Sequence, residues 1–159
     1  MKVLIVSDTH GRNQNLIKVI KKVGPVDLLV HLGDSEGSID NIEAIAACPV
    51  AMVAGNNDFY YNLPKEKIIE IGKYLALLTH GHRIGVRAGI DNLLAAAKIN
   101  QVNIVMFGHT HIPMITFQEG IWLINPGSLT LPRQGNRKPS FIIMDIDNHG
   151  AAHFTLNYL

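Results

Sequence analysis

The sequence predicts an α/β fold in which two packed β-sheets carry helices on their outer faces. Two features of the chain predict it. In the N-terminal part, apolar β-branched runs alternate with amphipathic segments, a pattern typical of a parallel sheet with right-handed crossovers. In the C-terminal part, paired apolar runs flank short turn sequences, which is typical of hairpins. A parallel unit followed by hairpins favours two layers of sheet with helices outside them.

The N-terminal part is predicted to contain three strands and two helices. Lys2–Val6 is a continuous, β-branched run and predicts a buried strand. Residues 13–23 place Leu16, Ile20 and Val23 on one face, which predicts a helix that ends at Gly24-Pro25. The remaining predicted elements are a strand over 27–31, a helix containing Ile39, Ile42 and Ala46 with Ser38 as its N-cap, and a strand over 50–53.

The C-terminal part is predicted to contain three hairpins, one helix and one further strand. The helix covers Asp91–Ile99, with Leu94 and Ala97 facing inward, and the strand covers residues 103–107. The hairpins pair 67–71 with Tyr74–Thr79, Met114–Gln118 with 121–124, and Ser140–Ile146 with 151–157. No repeat or linker divides the chain, so we expect one domain over residues 1–159.

The composition argues against several classes of protein. Hydrophobic residues make up 47% of the 159 residues and charged residues 17%, so we expect an ordered chain. The net charge of +1 gives no strong nucleic-acid surface, and no run approaches the ~20 apolar residues of a membrane span. Cys48 is the only cysteine, which excludes an internal disulfide and thiolate metal sites. We therefore expect a cytoplasmic protein that does not bind membranes.

Five short polar motifs occur along the chain, most of them directly after an apolar run. They are Asp8-Thr9-His10, Gly33-Asp34, Gly55-Asn56-Asn57-Asp58, His80-Gly81-His82 and Gly108-His109-Thr110-His111. In open α/β sheets, ligands gather beyond the carboxyl ends of strands, and residues i and i+2 of extended backbone point the same way. We therefore expect one metal site formed by Asp8, His10, Asp34, Asn56, His80, His109 and His111.

The types of these side chains indicate the chemistry of the site. Carboxylate, amide oxygen and imidazole together suit Mn, Fe, Zn, Co or Ni better than Cu(I) or an iron–sulfur cluster. Seven ligands are too many for one ion and fit two ions that share a bridging carboxylate. Two divalent ions, two carboxylates and a bridging hydroxide leave a net positive charge, which favours an anion such as phosphate.

Each motif taken alone also has a structural explanation. Asn-Asn-Asp and Gly-Asp are common turn formers, and a lone buried histidine is usually a hydrogen-bonded core residue. We expect the core explanation for His31, and we expect His149 and His153 to lie on the surface. The preference of these residues for turns does not explain five motifs in this order at strand ends, so the whole set favours a metal site.

The motifs resemble those of the calcineurin-like metallophosphoesterases, whose pattern is D-x-H, G-D, G-N-H-D/E, a later His and G-H-x-H. The chain length, His80-Gly81-His82 and Asn125-Pro126-Gly127-Ser128 resemble the small branch, which contains bacterial and archaeal phosphodiesterases and the retromer subunit of the vacuolar sorting-29 type. The resemblance implies a four-layer α/β/β/α sandwich of two mixed β-sheets flanked by helices. It also implies one metal on Asp8, His10, Asp34 and His111 and another on Asp34, Asn56, His80 and His109, with Asp34 bridging.

The function implied by the resemblance is a dinuclear-metal phosphodiesterase. It would hydrolyse a small phosphate ester by in-line attack of a metal-bridging hydroxide, with two divalent ions, most simply Mn, and with Fe, Zn, Ni or Co as alternatives. A metal-binding but weakly active or inactive scaffold of the retromer-subunit type and a phosphomonoesterase are the alternatives. The complete ligand set favours the enzyme over the scaffold, and the lack of a broad basic face argues against a nuclease. The apolar hairpins are compatible with self-association, so the sequence leaves open whether the protein forms a homo-oligomer.

One position departs from the family pattern, because Asn57 stands where the family has histidine. That histidine usually lies near the leaving group, and an amide cannot give up a proton near neutral pH. We therefore expect modest turnover and a preference for good leaving groups. His82 either replaces the missing acid or makes a hydrogen bond that orients a metal ligand. Asp58 is expected to orient the metal ligands in the same way.

Two further segments are candidates for contact with substrate. Asn125-Pro126-Gly127-Ser128 follows a strand and either brings backbone N–H groups close to the metals or forms a tight turn. Arg133, Arg137 and Lys138 make a basic loop that either is solvated or supplies Arg133 to a phosphate oxygen.

Overall fold

The computed structural model describes every residue from Met1 to Leu159 and contains ten strands and three helices. In chain order the elements are β1 (Lys2–Val6), α1 (Gln14–Val23), β2 (Leu28–His31), α2 (Ile39–Ala46), β3 (Val50–Met52), β4 (Glu66–Ile71), β5 (Tyr74–Thr79), α3 (Asp91–Ile99), β6 (Ile104–Met106), β7 (Met114–Gln118), β8 (Ile121–Asn125), β9 (Ser140–Ile146) and β10 (Ala152–Tyr158).

The strands form two five-stranded sheets, ordered β10-β9-β1-β2-β3 and β4-β5-β6-β8-β7. In the first sheet β1, β2 and β3 are parallel, whereas β9 and β10 pair antiparallel. In the second, β5, β6 and β8 are parallel, whereas the edge strands β4 and β7 are antiparallel. Both sheets are therefore mixed, and the predicted α/β fold of two mixed sheets with flanking helices is confirmed.

Three apolar clusters separate the layers of the sandwich. Successive residues of β1 alternate between two of them, because side chains alternate between the two faces of a strand. Ile5 packs between the sheets, whereas Leu4 packs beneath α1 and α2. On the far side, Leu93 of α3 covers the second sheet. Both faces of β1 are thus buried, which explains why its sequence is an uninterrupted apolar run.

The observed elements differ from the predicted ones mainly at their ends. Helix α1 begins at Gln14 rather than at residue 13, because Asn13 is the N-cap, and within α1 Val19 is fully buried alongside Leu16. Ser38 occupies the N-cap of α2, as predicted, but its hydroxyl donates to the carbonyl of Ser35 at 2.7 Å instead of accepting from the helix. None of the three helices has the length and apolar character that crossing a membrane requires.

The two sheets meet at one edge, where the loops after their parallel strands approach closely. The backbone N–H of Asp8, after β1, donates to the carbonyl of Gly33, after β2, at 3.1 Å. A side chain at Gly108 would collide with the hydroxyl of Ser7, and one at Gly33 would lie 2.7 Å from a ring nitrogen of His80. Glycine is therefore required at both positions, and the close approach brings loops of the two sheets together.

Candidate metal centre

All seven predicted metal ligands lie in loops that follow parallel strands of the two sheets. Asp8, His10, Asp34 and Asn56 come from the first sheet, and His80, His109 and His111 come from the second. The structure gathers two groups of three residues whose ligand atoms lie within 4.8 Å of one another. These groups are Asp8 with His10 and His111, and Asp8 with Asp34 and His80.

The two carboxylates occupy the middle of this cluster. His111 Nε2 lies 3.0 Å from Asp8 Oδ1, and His80 Nε2 lies 3.6 Å from Asp34 Oδ2. His10 Nε2 lies 3.9 Å from Asp8 Oδ1 and 4.0 Å from Asp34 Oδ2. His80 Nε2 also lies 4.0 Å from Asp8 Oδ1, so the two carboxylates lie among three imidazoles, and Asp8 belongs to both groups.

Asn56 and His109 lie beside His80, outside the two groups of three. Asn56 Oδ1 is 3.2 Å from His80 Nε2, and the rings of His80 and His109 have centroids 5.1 Å apart. The backbone N–H of His109 also donates to Asp8 Oδ2 at 3.2 Å. Both residues therefore face the His80 side of the cluster, where the family resemblance implies the second metal.

The backbone that presents these ligands is not extended. Asp8, His10, Asp34, His109 and His111 have φ values of 55°, 47°, 55°, 66° and 60°. The expectation that the i, i+2 pairs converge through extended backbone is therefore wrong, because both members of each pair are left-handed. Residues other than glycine avoid this region at a cost of about 1–3 kcal/mol, and such strain is typical of functional sites.

Three of the histidines are held so that Nε2 points into the cluster. His80 Nδ1 donates to the carbonyl of Leu32 at 2.6 Å, and His111 Nδ1 donates to that of Leu131 at 2.7 Å. His10 Nδ1 lies 2.7 Å from the carboxylate of Glu36. An acceptor at Nδ1 fixes the tautomer that leaves a lone pair on Nε2, as in metal-binding histidines.

Two buried atoms of the cluster have no hydrogen-bond partner, namely Asp8 Oδ1 and His10 Nε2. Asp8 Oδ1 lies close to His111 Nε2, but the geometry does not make a hydrogen bond. Buried polar atoms are nearly always satisfied, so these two atoms are suited to ligate a cation. The mixture of carboxylate oxygen and imidazole nitrogen also matches first-row divalent metals. The residues present therefore fit a metal centre.

The charges of the cluster favour cations as well. Burial opposes the ionisation of Asp8, but the close approach of His111 and the charge of His80 outweigh it and lower the pKa of Asp8. Burial raises the pKa of Asp34, and the neighbouring Asp8 adds to this effect. Burial and the adjacent His80 lower the pKa of His109 to about 4. Two crowded carboxylates surrounded by imidazole side chains form a site that a divalent ion would stabilise.

Asn57 lies directly over the central carboxylates. Its backbone N–H donates to Asp34 Oδ1 at 2.9 Å, and its side-chain amide donates to Asp34 Oδ2 at 3.2 Å. The same amide donates to Glu36 at 3.0 Å. Asn57 is exposed to solvent, so it is positioned to meet a substrate that approaches Asp34.

Asp58 is buried and faces away from the cluster. Its carboxylate accepts the backbone N–H groups of Gly55, Ser35 and Glu36, and the hydroxyl of Ser35, at 2.8 to 3.2 Å. Burial opposes ionisation, but these hydrogen bonds, that from Gly55 first, lower the pKa of Asp58. The carboxylate joins the loop after β2 to the loop after β3, which agrees with a supporting role.

His82 is half-buried and lies at the edge of the cluster. Its ring centroid is 5.4 Å from that of His80 and 6.0 Å from that of His109. Its Nδ1 is buried without a hydrogen-bond partner. Burial, followed by the charge of His80, lowers the pKa of His82. The side chain lines a pocket beside the metal ligands, together with Gly55 and Asp58.

Sequence reasoning missed Glu36, which contacts both His10 and Asn57. No motif marks this residue, because its contacts join two loops that are distant in the sequence. The only signal was its place two residues after Asp34. Its left-handed backbone, with a φ of 48°, turns the side chain back toward the site.

The remaining candidates have structural roles. The Asn125 amide donates to the carbonyl of Gly108 and accepts the N–H of Gly127, and the Ser128 hydroxyl donates to the carbonyl of Asp8. This segment is therefore a turn that supports the ligand loops. The side chain of Arg133 is exposed, while its backbone N–H donates to the carbonyl of His111.

The other three histidines lie as expected. His31 is buried, with Nε2 3.0 Å from the Thr9 hydroxyl, so it is a hydrogen-bonded core residue. His149 and His153 are exposed, and His153 pairs with Asp147 at 2.8 Å. None of the three belongs to the ligand cluster.

Several solved structures share this fold. A predicted phosphoesterase from Streptococcus pneumoniae superposes with a TM-score of 0.83 at 29% identity, covering 99% of this chain and 88% of that chain. An archaeal phosphodiesterase superposes with a TM-score of 0.73 at 25% identity, covering 99% and 100%. A Vps29 variant from Entamoeba histolytica superposes with a TM-score of 0.80 at 22% identity, covering 100% and 99%, which shows the shared fold alone.

The sequence comparisons cover nearly the whole chain. A family model described as a calcineurin-like phosphoesterase superfamily domain matches residues 1–149. The chain is 36% identical over 152 residues to the probable metallophosphoesterase YsnB of Bacillus subtilis, which covers 95% of this chain and 88% of that protein. Together with the geometry of the ligand loops, these matches show that the chain belongs to the calcineurin-like phosphoesterase superfamily.

Proposed function

We propose that this protein is a phosphodiesterase that hydrolyses small phosphate esters with two divalent metal ions. The observation that carries the proposal is the pair of buried carboxylates, Asp8 and Asp34, set between oriented imidazoles. The unpartnered Asp8 Oδ1 and His10 Nε2 support it further. The similarity to a bacterial metallophosphoesterase and an archaeal phosphodiesterase agrees with this chemistry.

We assign the ligands of the two ions from the family pattern, which shares Asp34 between the ions, although Asp8 is the residue common to the two close groups in the structure. Asp8, His10, Asp34 and His111 would hold one ion, and Asp34, Asn56, His80 and His109 would hold the other. Manganese is the metal we propose, because a thiol-free set that mixes carboxylate and amide oxygens with imidazole suits it, as it suits Fe, Zn, Co and Ni. When bound, two divalent ions lower the pKa of a water molecule and stabilise the charge of an in-line displacement at phosphorus.

The protein side chains would orient the ester and assist the leaving group. In hydrolysis a water oxygen bonds to phosphorus, the ester P–O bond breaks, and the leaving oxygen takes up a proton. Asn57 can donate a hydrogen bond to a phosphoryl oxygen near Asp34 but cannot supply that proton. His82 lines the adjoining pocket with an unpartnered Nδ1, so we propose that it assists the leaving group.

The proposal is tested with a panel of phosphodiesters and phosphomonoesters in the presence of manganese. The wild-type chain should hydrolyse diesters, and Asp34→Ala should lose activity by a factor of about 10³ or more, because the shared carboxylate is gone. Asp40→Ala is the matched control, since Asp40 is an exposed acid in the first turn of α2. Full hydrolysis by Asp34→Ala would rule out the two-metal mechanism.

A scaffold that binds metal without turnover is the second candidate, and the observation that favours it is Asn57 in place of a proton-donating histidine. Calorimetric titration with manganese beside the same ester panel separates the two candidates. Tight metal binding with no hydrolysis of any ester would support the scaffold. The cytoplasmic location and a homo-oligomeric state stay predictions.

A further inference from the structure

We infer that a pocket beside the metal centre binds the nucleobase of a nucleoside phosphate ester. The inference rests on the proposed function and names the substrate class of the same site. The pocket walls that carry it are Phe59, Tyr61, Lys65, His82 and Arg83. We call this group the base pocket.

The base pocket is continuous with the metal centre. His82 and Gly55 belong to its lining, and the ring of His82 lies 5.4 Å from that of the proposed ligand His80. The cavity measures about 250 Å³ and is lined by nine residues. Pockets for drug-sized ligands span roughly 300–1,000 Å³, so this one suits a single compact group attached to the phosphate.

Two aromatic rings form one wall of the base pocket. Phe59 is 79% exposed and Tyr61 is 40% exposed, although both carry large apolar rings. Tyr61 leans on the loop after β2, where a side chain at Gly37 would collide with its hydroxyl group. Any planar nucleobase can stack on such rings, because every base has a π-face. The wall therefore selects a flat aromatic group.

Two cations complete the pocket. Lys65 and Arg83 line it, both are exposed, and the close ion pairs of the chain are formed by other residues. Their N–H groups are free to reach the carbonyl and ring-nitrogen acceptors of a base, and a guanidinium also stacks on flat rings. An alkyl group would leave both cations without a function, so the combination of rings and cations favours a nucleobase.

The test compares two ligands that differ only in the base. Dissociation constants of adenosine 5′-monophosphate and ribose 5-phosphate are measured by calorimetry, with and without manganese. We expect the nucleotide to bind at least about fivefold more tightly, since stacking of one base is worth that much or more in alanine substitutions. Phe59→Ala should bring the ratio of the two constants close to one. Arg83→Gln should lower it by a smaller factor.

Tyr60→Ala is the matched control, because Tyr60 is 95% exposed and lies outside the pocket lining. It should leave the ratio unchanged. Equal affinities for the two ligands in the wild-type chain would overturn the inference. A preference for the nucleotide that survives Phe59→Ala would overturn the assignment of the pocket. Failure to hydrolyse any ester would instead overturn the proposed function, and the binding ratio would still report on the pocket.

Discussion

The floor and the rim of the site are built in opposite ways. The floor, formed by Asp8, His10, Asp34, His80 and His111, is largely buried, and its histidines are fixed by acceptors at Nδ1. The rim consists of Asn57 and the residues of the base pocket, and its aromatic and cationic side chains are exposed and largely free of partners.

This difference separates turnover and metal affinity, which depend on the floor, from the choice of ester, which depends on the rim. Fixed, buried ligands make the floor suited to one kind of chemistry at phosphorus, because their positions are set before a substrate arrives. The exposed aromatic and cationic side chains of the rim are placed to contact the group that the phosphate carries. Changes in the floor should therefore alter turnover and metal affinity, whereas changes in the rim should alter the choice of ester.

The largest effect is expected from Asp8→Ala in the floor. The substitution removes the carboxylate that both close groups of three residues share. It also takes away the acceptor of the His109 N–H and the nearer of the two acceptors of the Ser7 hydroxyl. We expect kcat to fall by a factor of about 10³ or more and manganese affinity to fall with it. Steady-state kinetics and calorimetric titration measure both. The rim variant Arg83→Gln should keep manganese affinity, and a loss there would break the distinction between floor and rim.

Asp58→Asn tests the junction between the floor and the rim. The Asp58 carboxylate accepts four hydrogen bonds from Ser35, Glu36 and Gly55, so it joins the loop of Asp34 to the loop that begins the rim. An asparagine amide in its place would point its own N–H group at some of these donors, so the hydrogen bonds on that side would be lost. We expect the free energy of unfolding to fall by about 3 kcal/mol or more. Urea denaturation of the metal-free protein measures it, with exposed Asp40→Asn as the control; equal stability of the two variants would contradict this role.

The floor was predictable from the sequence because each proposed ligand lies in a short polar motif at the end of an apolar strand, and several of these motifs contain a glycine. Strand ends are marked by the change from apolar to polar residues, and the glycines mark close approaches such as that of Gly33 to His80. The convergence of the ligand side chains was predicted for the wrong reason. Asp8 and His10, like His109 and His111, have left-handed backbone instead of the extended backbone that we expected. Sequence patterns signal left-handed backbone mainly through glycine, so this conformation of Asp and His carries no pattern of its own.

Asn57 and His82 of the rim were predicted from their motifs, but the other members of the rim were not predictable, because they come from separate loops and belong to no motif. Phe59 and Tyr61 follow β3, whereas Arg83 follows β5 of the other sheet, and no periodicity relates them. Glu36 was missed for the same reason. Exposed loop residues are placed by contacts between distant segments, which a local pattern does not contain.

The buried histidine behind the floor, His31, offers a test of acid stability with a smaller expected effect. Burial lowers the pKa of His31 to about 4, and the nearby carboxylates of Asp58 and Asp8 only partly oppose it. The unfolded chain binds a proton at this residue below about pH 6.5, whereas the folded chain does so only near pH 4. Stability should therefore fall as the pH drops from about 6.5 to 4. We expect about 2–3 kcal/mol from this residue.

The measurement is urea denaturation of the metal-free protein at pH 7.5 and at pH 4.5. His31→Gln removes the titration and keeps a group that can bond to Thr9, so it should lose less stability on acidification than the wild type. His149→Gln serves as the control, because His149 is exposed. Equal losses in His31→Gln and the wild type would mean that groups other than His31 carry the acid sensitivity.

Asn57→His is the change expected to have the smallest effect and to say most about how rim and floor cooperate. The Asn57 amide holds Asp34 and Glu36, and an imidazole would give up part of those hydrogen bonds while gaining the ability to donate a proton. Leaving groups of high pKa need that proton, whereas p-nitrophenol leaves well without it. We therefore expect about a tenfold gain in kcat for alkyl esters and little change for p-nitrophenyl esters. Asn57→Gln, which keeps the amide, is the control, and an unchanged or lower rate for alkyl esters with both metals still bound would mean that His82 already supplies the proton.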